Sequence, residues 1–192
     1  MICGREVFYL KRTETRDGSM DTLLEDLQQA LDSAIEGMTN EQMGWHPTGK
    51  WCAAEVLEHL YLTYTGTVKG FERVLEAGKP MAGRASMRHR WRSLVVFSFD
   101  YLPQGRKAPK QTVPRGLPAE KVRAEYRLKL EAMDEIIARC QARFGRGRLL
   151  DHPILGPLTA AQWRRFHWIH GRHHVKQIER LREQAKGEGT SP

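Results

Sequence analysis

Apolar residues recur along most of this chain with the 3.6-residue spacing of a helix rather than the alternation of a strand. Leu23, Leu24, Leu27, Ala30, Leu31, Ala34 and Ile35 predict a first helix from about Met20 to Met38, with Ser19 or Asp21 as its cap and Gly37 near its end. Thr39-Asn40-Glu41-Gln42 then reads as the capped start of a short turn, stopped by Gly44 and Pro47. A second helix is expected from Lys50 to Ala77, capped by Thr48 and ended by Gly78 and Pro80. At about 100° per residue, Ala53, Val56, Leu57, Leu60, Tyr64, Val68, Phe71 and Leu75 form its apolar stripe. On one flank of that stripe, Gly66 and Gly70 leave room for another helix to approach.

Residues 80–117 are rich in proline and glycine and interrupt the pattern. Within them the aromatic stretch from Ser86 to Tyr101 is compatible with a short helix. A third helix is expected from Pro118 to about Phe144, with Val122, Tyr126, Leu130, Met133, Ile136, Ile137 and Cys140 on its inner face. The fourth opens on the capping box Thr159-Ala160-Ala161-Gln162 and continues to about Ala185. With no strand pattern, the expected class is all-α: a four-helix bundle with a long crossover between the second and third helices. The expected organisation is an N-terminal extension at residues 1–18, the bundle domain at 19–186 and a fraying tail at 187–192.

Length and composition add little and exclude some classes. A chain of 192 residues can bury one sizeable core. No run approaches the roughly 18 consecutive apolar residues of a membrane span, and the first ten residues are broken by Arg5 and Glu6, unlike a secretion signal. Cys3, Cys52 and Cys140 form no paired framework. A cytoplasmic protein without a membrane partner is therefore expected. The net charge of +8 raises nucleic acid as a partner. The basic residues are nevertheless dispersed over loops, with no nucleic-acid motif beside them, so nucleic acid is not the expected partner.

The chemistry concentrates in Phe166-His167-Trp168-Ile169-His170-Gly171-Arg172-His173-His174, which holds four of the eight histidines. His170 and His174 are four apart, one above the other on a helix face, the spacing with which one helix offers two imidazoles to a metal. On a helical wheel they fall near the centre of the apolar side, between Trp163 and Leu181, with His173 at its edge and His167 off its centre. Buried imidazoles need partners for their ring nitrogens, which a metal supplies, as would side chains and water. His59 lies at the edge of the second helix's stripe, where the wheel alone suits a boundary residue as well as a ligand. His46 and His152 precede prolines and His89 sits among arginines.

Three stretches then resemble the DinB family of four-helix bundles, which includes bacterial metal-dependent thiol-transferases: Trp51 followed by Glu55-Val56-Leu57-Glu58-His59-Leu60; His152-Pro153-Ile154-Leu155-Gly156-Pro157-Leu158-Thr159 leading to Gln162-Trp163; and His170-x-x-His173-His174-x-x-Gln177-Ile178. The resemblance spans residues 21–184. It implies a DinB-like bundle in which His59, His170 and His174 hold one divalent ion between the second and fourth helices, commonly nickel or zinc. It also implies a low-molecular-weight thiol and a small electrophilic substrate as partners, and pairing into a homodimer. Three protein ligands leave coordination positions open, as in catalytic sites, so a transferase or hydrolase is expected, with a non-catalytic metal-binding bundle as the alternative. Catalytic residues are unknown from the sequence. Glu55 and Gln177 are placed to orient a ligand, and Arg88, Arg90 and Trp91 to roof the site over an anionic substrate.

Overall fold

The structure is a computed structural model that describes residues 20–102 and 107–188. The expected extension, including Ser19 as a cap, lies outside the described residues, as does the end of the tail.

Helix formation follows the apolar spacing closely. Helix α1 (Thr22–Ile35) starts where the Asp21 carboxylate accepts from the Leu23 amide, and it buries Leu24, Leu27 and Leu31 completely. Each such leucine contributes on the order of 1.5–3 kcal/mol of transfer free energy. Helix α2 (Asn40–Gly44) has the expected capping box, with Thr39 and Gln42 bonding each other's backbone. Helix α3 (Ala53–Glu76) starts three residues later than expected. The cap is Cys52, not Thr48: its Sγ accepts from the Glu55 amide at 3.4 Å, while the Glu55 carboxylate accepts from the Cys52 amide at 2.9 Å. A thiol in the place usually held by a hydroxyl hid this capping box from the sequence.

The crossover contains helix α4 (Met87–Phe99), capped by Ser86, and a single 3-10 turn at Lys110–Thr112. Helix α5 (Ala119–Phe144) follows. The next segment corrects the expectation of a strand-free chain. Strands β1 (Arg148–His152) and β2 (Gly156–Thr159) pair as an antiparallel hairpin. They are too short for alternation to register. The turn is held by a side chain, His152 Nδ1, which accepts from the Ile154 and Leu155 amides at 3.2 and 3.1 Å. Helix α6 (Ala160–Glu188) then starts from the expected Thr159–Gln162 capping box and outlasts its expected end.

The molecule is mostly helical. Helix α3 packs chiefly on α5, and α1 on α6, while α6 also meets α3 and α5. Two glycines allow close approach. A Cβ at Gly171 would lie 2.4 Å from Leu27, so α1 can rest directly on the α6 backbone. Gly156, at φ +75°, leaves space for the His89 ring to seat α4 on the hairpin. Gly70 is approached by Leu150 of β1 rather than by a helix, and among the described residues nothing lies within 4 Å of where a Gly66 Cβ would stand. Inside, Arg164 is buried against the Asp134 carboxylate, which also accepts from the Asp21 amide and so fixes the start of α1. Among the described residues no helix is long and apolar enough to cross a membrane.

Candidate metal centre

Helices α3 and α6 bring His59, His170 and His174 to one point. His170 Nε2 lies 3.3 Å from His59 Nε2 and 3.2 Å from His174 Nε2. The potential ligand atoms all lie within 4.8 Å of one another. His59 and His174 are buried and His170 is partly so.

The outer nitrogens decide what the inner ones can do. His59 Nδ1 is 2.7 Å from the Thr112 carbonyl, which can only accept, so this nitrogen carries the proton and Nε2 presents a lone pair. His174 Nδ1 likewise donates to Gln177 Oε1 at 3.0 Å. His170 Nε2 faces both bare nitrogens, and a proton there would serve only one of them. A divalent cation accepts all three lone pairs, and imidazole nitrogens about 2.1 Å from one ion stand roughly 3.0–3.4 Å apart. The two separations of His170 Nε2 suit such an ion, so the three histidines could hold one, and the Thr112 and Gln177 contacts are of the kind that orient histidines at a metal.

Burial keeps these imidazoles neutral, the form that ligates. It pushes His59 down, against the Thr112 hydrogen bond that acts the other way. His174 falls to about 3 through burial and then the neighbouring His59. His170 falls well below its ordinary value through burial first and then through the adjacent imidazoles, His174 foremost.

A further layer lies behind the site. His167 is fully buried, its Nε2 3.1 Å from Thr67 Oγ1. Thr67 gives its own proton to the Thr63 carbonyl, so His167 is the donor. Its ring stacks on Trp163 at 5.8 Å and meets Tyr64 edge-on. His152 packs on Phe166, whose ring also stacks on that of His170. Burial lowers His167 to about 3 and His152 to about 4. The nitrogens His167 Nδ1 and His170 Nδ1 and the Tyr64 hydroxyl are buried without a hydrogen-bond partner among the described residues.

Several residues missed in the sequence hold this arrangement. Glu58, 2% exposed, accepts from the amides of Arg115, Gly116 and Leu117 at 2.7–3.1 Å. With Thr112 on His59, two successive residues of α3 thus grip one loop. A buried acid beside His59 was the available signal for Glu58, whereas nothing in the sequence marks Thr112. Of the two polar candidates, Gln177 contacts His174, but Glu55 is engaged at the α3 cap. The cover over His59 comes from the Thr112 loop, while α4 sits against the hairpin and leaves Trp91 68% exposed. His46 bonds the neighbouring Pro47 carbonyl, and His173 touches the ring of His174. A depression of about 540 Å³ between α1 and α5, lined by Asp32, Arg123 and Tyr126, is built from neither histidine helix.

No curated protein and no solved structure matches this chain. A family model does match, over residues 19–181, the span that contains helices α1 to α5, most of α6 and all three converging histidines, and the chain therefore belongs to the family described as "Protein of unknown function (DUF1569)".

Proposed function

We propose that this protein is a divalent-metal-dependent enzyme of thiol-transferase or hydrolase type, built as a DinB-like four-helix bundle from α1, α3, α5 and α6. The observation that carries the reading is the convergence of three imidazole Nε2 atoms, two of them, on His59 and His174, oriented by Thr112 and Gln177. His59, His170 and His174 are the ligands. Nickel or zinc is the expected ion, since three imidazoles suit either. When bound, it would lower the pKa of water or a thiol and so supply a nucleophile at neutral pH.

The chain's own residues do the rest. Thr112 and Gln177 hold the tautomers, and burial among Trp51, Phe166 and the Thr112 loop keeps the imidazoles unprotonated. The partly exposed His170 marks the side from which a small substrate would enter. The partners in this reading are a low-molecular-weight thiol and a small electrophile, in a cytoplasmic protein that pairs as a homodimer. The alternative, a bundle that holds metal for stability or sensing, draws support from the lack of any acid or base side chain reaching the three nitrogens among the described contacts.

Metal analysis of the purified protein beside a His170→Ala/His174→Ala variant tests the site. Near-stoichiometric nickel or zinc in the parent, falling at least tenfold in the variant, is expected; equal content would sink it. Thiol conjugation to a panel of electrophiles then separates enzyme from metal-holding bundle.

A further inference from the structure

Among the described residues, eight large apolar side chains are well exposed, and six of them, Met81, Met87, Trp91, Leu94, Phe99 and Tyr101, fall between residues 81 and 101. Scattered exposed hydrophobics are ordinary, but a concentration of this kind marks an interaction surface. The arrangement on α4 explains it. The helix docks by one side only: Val96 is its buried residue, Ser93 Oγ donates to the Leu155 carbonyl, and His89 lies against Gly156. Met87, Trp91 and Leu94 stand at i, i+4 and i+7 on the opposite side, 78%, 68% and 58% exposed.

Charge selects the occupant. Arg84, Arg88 and Arg90 are exposed beside the stripe, and from Met81 to Phe99 there is no aspartate or glutamate. A second copy seated face to face would set arginines against arginines across a two-fold axis. A nucleic acid would engage the arginines but leave the aliphatic centre of the stripe with little to bury it. A bilayer carrying anionic headgroups answers both requirements. Trp and Tyr favour the headgroup level, Met and Leu the acyl boundary, and arginine stems lie along apolar surface while their heads meet lipid phosphates.

We infer that the outer face of α4 is a peripheral docking surface for anionic lipid membranes, with Trp91, Met87 and Leu94 entering the interface and Arg84, Arg88 and Arg90 contacting the headgroups. The expectation of no membrane partner rested on the lack of a spanning segment, which does not bear on attachment at the surface. This surface is independent of the histidine centre and stands whether or not that centre holds metal.

The test is sedimentation of the full chain with phosphatidylserine/phosphatidylcholine vesicles and with pure phosphatidylcholine vesicles. Binding to the anionic vesicles is expected to be at least tenfold tighter than to the neutral ones, and to weaken as salt rises. Trp91→Glu/Leu94→Glu and Arg88→Glu/Arg90→Glu should each reduce it at least tenfold. Because these side chains lie outside the core, melting temperature and far-ultraviolet dichroism should match the parent, which excludes misfolding as the cause. The inference is overturned by equal or absent sedimentation with both vesicle types. It is also overturned if the variants bind like the parent, if the apolar variant instead converts a dimer to a monomer, or if duplex DNA or RNA displaces the vesicles at matched phosphate concentration.

Discussion

The histidine centre and helix α4 sit at opposite ends of one physical scale. Around His59, His170 and His174, the ring nitrogens of His59 and His174 have fixed partners in low-dielectric surroundings, and the consecutive residues Glu58 and His59 act on one loop, while His170 Nδ1 is enclosed without a hydrogen-bond partner among the described residues. On α4 one buried valine, the partly buried Phe97 and a few polar contacts hold thirteen residues, and the outer side meets solvent. The contrast teaches that the two regions are specified differently. The first is defined by what surrounds each group, so its function depends on positions set from several elements. The second is defined by what its own helix periodicity leaves uncovered.

The largest expected effect is in acid. A histidine held neutral in the fold protonates in the unfolded chain near its ordinary value of 6.5, whereas the folded values fall to about 4 for His152 and about 3 for His167 and His174. Below pH 6.5 the unfolded state therefore binds protons that the native state does not. Stability falls as pH drops, by up to about 1.4 kcal/mol per pH unit for each such histidine, until the native groups protonate in turn. Denaturant midpoints of metal-stripped protein between pH 7 and 5 measure this. A flat profile would mean that the histidine layers are less enclosed than the contrast with α4 requires.

Next in size is Glu58→Ala, which leaves the amides of Arg115, Gly116 and Leu117 without their acceptor. A loss of about 1–3 kcal/mol is expected from equilibrium unfolding, with a smaller loss for Glu58→Gln, which keeps one oxygen. Gln177→Ala should leave folding nearly intact and weaken nickel or zinc binding about tenfold, because His174 loses the partner that fixes its tautomer. Competition with a metallochromic chelator reads that change, and unchanged affinity would show that burial alone orients the ring. The smallest effect should come from Trp91→Glu: a stability change within about 0.5 kcal/mol in the same unfolding assay. A larger loss there would erase the distinction between the two regions.

Much of the helical layout is legible in the sequence, because amphipathic spacing and caps are local. The Thr39 and Thr159 capping boxes and the α4 helix fall where residue types alone place them. The thiol cap at Cys52 and the hairpin after Arg148 do not, since one uses an uncommon cap and the other is held by a histidine side chain. At the site, His170 and His174 stand out by spacing on one helix. A wheel cannot place His59, because its surroundings include the Thr112 carbonyl, more than fifty residues away, and the rings of His170 and His174 on another helix. The same limit hides Thr67, which meets His167 across the α3–α6 contact.

Glu58 and His59 are neighbours in the chain, yet they hold the crossover at two places, through the amides of residues 115–117 and the carbonyl of Thr112. In mechanical terms this is a clamp at the end of a long strap, just before α5 begins. Upstream of it, α4 is fastened separately, to the hairpin through Ser93 and His89 and to α6 through Arg165. Downstream, the chain enters α5 already fixed. With the strap fastened at two separate places, the Thr112 carbonyl keeps its seat on His59 through the same turn of α3 that holds residues 115–117, so one turn of helix sets both the path of the chain and the aim of an imidazole.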